Sequence, residues 1–326
     1  MVARCESSDM AATAATQDAW RSPLHNLRPL ARGFLFVGIG GRDWCADLRQ
    51  IVGVMRLASL RCFRDAMPCL VHFIGDDAGA ASVRRGGCES LLSSNVTTAN
   101  FARDCYSRAG SSTPWLAKLC VRALRLSPFE HTILLDFDTL ILSNEIEQIF
   151  HVLSSGFDLT TAMECCAIPD KIPRTPHMLE VMRVPLVHGW EMHTGVVGFT
   201  RAPAVSEHAS IALAIWRNSS RIRRYSSYEQ QAETMALTLS TVRWLPLPPT
   251  FAIRSYSATA WRQLPRAVAH WKWRTPRTAN ATAAHLLAEA RAWADRTIRG
   301  ISPTFNTLPI SEGFNISSWW TRWHFP

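Results

Sequence analysis

"HTILLDFDTLILSNEIEQIF" (131–150) sets two aspartates, Asp136 and Asp138, inside a strongly apolar run. Ile133, Leu134 and Leu135 precede them, and Leu140, Ile141 and Leu142 follow. A desolvated carboxylate is costly without a partner, and two close together also repel. An apolar run of this length reads as a strand covered on both faces. The next segment reads as a helix, with Asn144 as N-cap, Glu147 at its third position and a stripe of Ile146, Ile149, Phe150 and Leu153. The acids then fall where a sheet strand gives way to a loop, which is where open α/β sheets bind ligands. In an extended segment, residues i and i+2 point to one side, so the carboxylates converge. Converging hard oxygen donors suit Mg²⁺ or Mn²⁺, which would cancel the repulsion. The bland alternative is a pair of solvated loop aspartates. Asp136-Phe-Asp138 is the chain's only Asp-x-Asp.

Towards the N-terminus, "GFLFVG" (33–38) reads as a short buried strand followed by the loop Gly40-Gly41-Arg42-Asp43. A helix is expected from about 46 to 63, with Leu48, Ile51, Val52 and Met55 on one face. "CLVHFI" (69–74) is a second strand, stopped by Gly75-Asp76-Asp77. Strand, helix, strand of continuous apolar character is the βαβ unit of a parallel sheet. Residues 78–112 give no clear pattern. A helix over about 114–126 follows, with Leu116, Leu119, Cys120 and Ala123 as its apolar stripe and Lys118 off it. The expected fold is α/β, a single domain over 33–275 with helices on both faces of a mostly parallel sheet. Residues 1–32 read as a disordered leader. Residues 276–326 hold a helix (281–299, with Leu286, Leu287 and Ala290 on one side) and an aromatic tail, "NISSWWTRWHF" (315–325), expected to pack back onto the domain.

Composition bounds the partners. The 326 residues are 47% hydrophobic and 19% charged, as in a globular protein. The net charge of +9 comes from 32 Arg against 3 Lys, scattered with no dense basic run, so no nucleic-acid partner is expected. "GFLFVGIGG" (33–41) is too short to span a bilayer, and residues 1–30 lack the apolar core of a signal peptide. No transmembrane segment is expected in this chain. The nine cysteines show no CxxC pair and no zinc spacing, and their odd number allows at most a partial disulfide set. Four glycosylation sequons, at Asn95, Asn218, Asn280 and Asn315, point to the ER or Golgi lumen. A cytoplasmic location is the alternative, since no signal or anchor is visible.

"KLCVRALRLSPFEHTILLDFDTLILSNEIEQIF" (118–150) resembles the signature of GT-A-fold glycosyltransferases of the family 8 and glycogenin kind. Three later stretches fall in the family's order. "HTGVVGF" (193–199) is similar to its acceptor-facing strand, "YEQQAETMAL" (228–237) to its Asp-Gln helix start, and "AVAHW" (267–271) to its late apolar-His segment. The resemblance covers about 33–275 and implies a metal-dependent transfer of a hexose from a nucleotide sugar, foremost a UDP-sugar. A carbohydrate or glycoprotein would be the acceptor. It implies Mn²⁺ or Mg²⁺ held by Asp136, Asp138 and His270, with Asp136 touching the ribose or the metal. On the donor side it implies Val37, Gly38, Trp44 (as a stacking ring), Lys118, Asp136 and Lys272. His193, Thr194 and Gly195 would face the acceptor, and Glu229 and Gln230 would flank the reacting carbon. His193 stands in place of the family's Asn and Glu229 in place of its Asp. After His270, Lys272 and Arg274 replace the usual Gly, Lys and Pro-Trp.

Other classes fit less well. A haloacid-dehalogenase-like phosphatase also uses Asp-x-Asp after a strand, but it needs Thr or Val where Leu140 stands and paired acids downstream. The aspartates beyond Asp138 are Asp158, Asp170 and Asp295, none paired with another Asp or in a Gly-Asp run. A nucleotidyltransferase would carry a basic Gly-rich loop, of which "GIGGRD" is a faint echo. A sugar-nucleotide-binding pseudoenzyme is a third reading, suggested by His193 and Glu229.

Overall fold

The apolar run before Asp136 forms the middle strand of a seven-stranded sheet in the computed structural model, which describes residues 30–64, 68–93, 95–101, 105, 114–164, 191–218, 230–247, 251, 268–270 and 282–299. The strands are β1 (Leu30–Gly38), β2 (Leu70–Gly75), β3 (Thr97–Thr98), β4 (Phe129–Leu135), β6 (Leu159–Glu164), β7 (Glu191–Thr200) and β8 (Trp244–Leu247). Their order is β3-β2-β1-β4-β7-β6-β8. The β1–β2, β1–β4, β2–β3 and β6–β8 pairs are parallel, while β7 runs antiparallel to both β4 and β6. A two-stranded ribbon of β5 (Thr139–Ile141) and β9 (Val268–His270) stands beside the sheet. The expected α/β architecture with a mostly parallel sheet is the one observed.

Period-two alternation sorts the side chains into two cores. On one face, Phe34, Phe36, Ile133, Leu135 and Val196 pack with helices α1 (Trp44–Leu57), α4 (Gln148–Ser154) and α7 (Ala283–Arg299). On the other, Leu35, Val37, Leu134, Val197 and Phe199 pack with α3 (Pro114–Ala123), α5 (Pro203–Asn218) and α6 (Gln230–Leu237). Gly198 lets α4 seat on the sheet, because a Cβ there would lie 2.3 Å from Ile149 Cγ2. Helix α7 belongs to the same core. Leu286, Leu287, Ala290 and Ala294 are buried, and the Arg291 guanidinium donates to the Leu142 carbonyl at 2.7 and 3.1 Å. The tail at 315–325 lies outside the described residues, as do residues 1–29.

Several expectations are corrected locally. Strand β1 starts at Leu30, inside the segment read as a leader. Helix α1 starts at Trp44, because the Asp43 carboxylate accepts from Ala46 N at 3.1 Å, and it stops at Leu57. Ser59 then takes φ 58°, a left-handed conformation that ends the helix before the 3₁₀ turn Arg61–Phe63. Helix α2 (Asp77–Arg85) occupies part of the stretch read as irregular; its small residues hide the apolar period, but Asp76 caps it, accepting from Gly79 N at 2.7 Å. The N-cap before α4 is Ser143, which opens a 3₁₀ turn over Asn144–Glu147, and α4 proper begins at Gln148. Among the described residues, disulfides join Cys45–Cys88, Cys62–Cys69 and Cys105–Cys120.

Two buried histidines couple the fold to pH. His72 on β2 meets Thr97 Oγ1 at 2.9 Å through Nε2, and His208 on α5 meets the Glu233 carbonyl at 3.0 Å. Burial pushes both imidazoles down to about 4. The unfolded chain binds their protons near pH 6.5 and the folded protein does not, so stability is full above that pH and falls towards 4. Between pH 7.5 and 5, each histidine is expected to remove about 2 kcal/mol of unfolding free energy. Urea unfolding at both pH values checks this; equal stabilities would contradict it.

Candidate active site

Strand β4 ends at Leu135, and Asp136 immediately follows it. Its backbone N–H donates to Gly195 O of β7 at 2.9 Å, which continues the antiparallel ladder one residue beyond the Leu135–Val196 pair. The chain then turns at once. Thr139 closes the turn on the Asp136 carbonyl, with its N–H at 3.1 Å and its hydroxyl at 2.6 Å. Asp136 and Asp138 are therefore two corners of a tight turn, which corrects the expectation that they share one side of an extended segment. Both are partly exposed there, while Phe137 between them is buried among Phe36, Trp44 and Phe73. The apolar Phe137 anchors the turn and leaves the acids at its rim.

Lys118 answers the question of charge. Its Nζ donates to Asp136 Oδ1 at 2.8 Å and to Thr194 O at 3.1 Å, and the residue is only 7% exposed. The helical stripe had placed Lys118 off the buried face. Helix α3 is instead buried nearly all round, so its lysine is buried too and pairs with a strand-end acid. Thr194 and Gly195 thus both reach this centre through their carbonyls. His193 is fully buried one residue earlier, its Nδ1 accepting from Gly195 N at 3.1 Å. Gln230, 3% exposed, is the first residue of α6, and its carbonyl accepts from the Thr234 hydroxyl at 2.7 Å.

His270 closes the β5–β9 ribbon. It pairs in register with Thr139, the residue after Asp138. Backbone pairing therefore brings this late segment alongside the turn from 131 residues away. Glu229 and Lys272 lie outside the described residues. Among the described residues, no group of three His, Cys, Asp or Glu side chains is arranged to hold a metal ion.

The residues at the end of β1 are placed differently from one another. Gly38 ends the strand with its carbonyl accepting from Asp76 N at 3.3 Å, and Val37 is buried in the second core. Trp44 is a core residue, 4% exposed, rather than a ring open at the strand ends. Its Nε1 donates to Gly40 O at 3.0 Å, Phe137 lies 4.6 Å from it between centroids, and the Arg42 guanidinium covers it at 4.4 Å. Arg42 is thus the group presented at the surface; Asp47 pairs with it at 2.8 Å, and the field of Asp138 also reaches it.

Sequence reading overlooked Arg122 and Glu233. The guanidinium donates twice to the carboxylate, at 2.8 and 2.7 Å, in a pair with almost no solvent exposure. Burial pushes the Glu233 carboxyl up, but the adjacent Arg122 outweighs it and holds the group below the usual range. The available signal was Arg122 one helical turn beyond Lys118 on an otherwise apolar helix.

No protein-family model matches the chain, and no curated protein is similar to it. Solved structures are similar. WbbM, a bifunctional glycosyltransferase in its apo structure, matches with a TM-score of 0.52 at 12% identity, over 81% of this chain and 53% of that one. This chain therefore spans about half of that protein. Apo mouse xyloside xylosyltransferase 1 matches at TM-score 0.48 and 15% identity, over 76% of this chain and 100% of that one. The galactosyltransferase LgtC, with donor and acceptor sugar analogues, matches at 0.45 and 16%, over 80% and 95%. The fold is the GT-A type found among glycosyltransferases.

Proposed function

We propose that the protein is a glycosyltransferase of the family 8 and glycogenin kind, moving a hexose from a UDP-sugar to a carbohydrate or glycoprotein acceptor with a divalent ion. The observation that carries this reading is the Lys118–Asp136 pair at the carboxyl end of the central strand, bounded by Gly195 of β7 and by the ribbon carrying His270. The donor set fits Mn²⁺ or Mg²⁺: two carboxylates on one turn, with a histidine position paired next to it. Asp138 and His270 would hold the ion, and Asp136 would hold the ion or the ribose. When bound, the ion would neutralise charge developing on the diphosphate leaving group.

The chain's own residues would do the rest. Lys118 fixes one oxygen of Asp136 and so leaves the other to meet the donor. Val37 and Gly38 would form the floor under the nucleotide, with Arg42 over Trp44 at its side. Lys272 would contact the diphosphate. His193, Thr194 and Gly195 would line the acceptor side, and Glu229 and Gln230 would stand beside the anomeric carbon at the start of α6. Asp158, one of the three aspartates downstream of the motif, lies at the opposite end of the sheet, paired with Arg243 at 2.9 Å, which removes it from any phosphatase-like centre here.

Incubation with Mn²⁺ and a panel of UDP-sugars tests the reading, with UDP and inorganic phosphate measured separately. UDP release from at least one sugar, lost in EDTA and restored by excess Mn²⁺, is expected. Phosphate without UDP would favour the phosphatase reading, and Mn²⁺-dependent UDP binding without turnover would favour the pseudoenzyme.

The same reading places the protein in the ER or Golgi lumen. Among the described residues, six cysteines pair in disulfides, which persist in oxidising compartments, and the sequon asparagine Asn95 is exposed. Secretory expression behind an added signal peptide is expected to give a glycan at Asn95, read as a mobility shift removed by N-glycosidase and absent in Asn95→Gln. An unmodified Asn95 would count against a luminal fold.

A further inference from the structure

Helix α3 carries two cations one turn apart, Lys118 and Arg122, both buried. Each has its own anion. Lys118 takes Asp136 of the strand-end turn, and Arg122 takes Glu233 of α6. Residues four apart on a helix sit about 5–6 Å from each other, so without Glu233 the guanidinium would repel Lys118 and compete with it for Asp136. Glu233 is also the residue through which α6 is anchored. Its carboxylate grips α3 by two bonds, and its carbonyl meets His208 of α5 at 3.0 Å. Next to it, the Thr234 hydroxyl accepts from Met192 N of β7 at 2.9 Å and donates to Gln230 O at 2.7 Å. Gln230 thus starts a helix that one buried ion pair, three residues further on, ties directly to the helix carrying Lys118.

A pair this dry is a poor way to gain stability. Replacing a buried ion pair by apolar residues of similar volume is often neutral or stabilising. What an apolar pair lacks is direction: the planar fork of arginine fixes both the distance and the angle between two helices. We infer that Arg122 and Glu233 are positioning residues for the transfer reaction. They hold the start of α6, with Gln230, in register with the Lys118–Asp136 centre, and they reserve Lys118 for Asp136. This inference rests on the proposed glycosyltransferase activity.

The double variant Arg122→Met/Glu233→Met tests it, because it removes the direction without leaving a buried charge. It is expected to fold with a melting temperature close to wild type and to bind UDP with Mn²⁺ within a few-fold of wild type. With the UDP-sugar that wild type turns over best, kcat is expected to fall at least ~10-fold, about 1.4 kcal/mol of transition-state stabilisation, at little changed KM. Arg122→Lys keeps a cation but loses the fork, and is expected to lower kcat about three-fold to five-fold. A folded double variant with wild-type kcat overturns the inference. If the double variant does not fold, wild-type kcat in Arg122→Lys overturns it instead. Should wild type release UDP from no sugar, the proposed activity fails, and hydrogen exchange still decides the positioning. Faster exchange confined to the amides of 230–237 in the double or the Lys variant supports it, and unchanged exchange there overturns it.

Discussion

Asp138→Ala is expected to weaken Mn²⁺-dependent binding of UDP at least ~100-fold, about 2.7 kcal/mol, while leaving the melting temperature nearly unchanged. The two acids of the turn are not equivalent. Asp136 already has one oxygen committed to the buried Lys118, so part of its charge is neutralised within the protein. Asp138 sits at the rim of the same turn, beside the strand position of His270, and the buried Phe137 anchors the turn in the core. On the proposed reading, the charge that attracts a hard cation would come mainly from Asp138. Its removal should cost binding and not folding. Calorimetric titration of UDP in Mn²⁺ checks this for wild type and variant. Equal affinities would show that Asp138 holds no ion.

Glu233→Ala acts in the opposite way, on folding first. It leaves the Arg122 guanidinium buried without its counter-ion, and breaking a buried pair on one side typically costs about 3–5 kcal/mol. That is a large share of the stability of an ordinary domain, so expression in soluble form should fall as well. Urea unfolding of Glu233→Ala against the double Met variant gives the sharpest reading. The single variant should be several kcal/mol less stable than the double, even though it has fewer changes. If the single variant were the more stable of the two, the pair would not be the buried ionic contact that its geometry indicates.

The contrast between these two acids shows what the sequence could and could not reveal. Asp136 and Asp138 stood out because they interrupt a run of aliphatic residues, and a strand of that composition has to be central. Lys118 could be found by resemblance, but its burial could not, because a helix covered on all sides loses the amphipathic period that places residues on a face. Glu233 was hidden for a different reason. Its partner lies 111 residues away, and nothing local distinguishes it from a solvated helix acid. The tight turn at 136–139 escaped notice because Thr139, not glycine or proline, closes it. Helix α2 escaped notice because alanine, serine and glycine give no apolar stripe, although Asp76 as its cap was in plain view. Trp44 was legible as an aromatic near the first strand, yet only packing decides that it belongs to the core and that Arg42 covers it.

The most direct measurement of the central claim is anomalous diffraction at the manganese edge from crystals soaked with Mn²⁺ and UDP. One peak is expected within coordination distance of the Asp138 carboxylate and the His270 ring, touching the diphosphate of a nucleotide laid across the ends of β1 and β4. A nucleotide bound elsewhere, or bound there with no manganese peak, would contradict it.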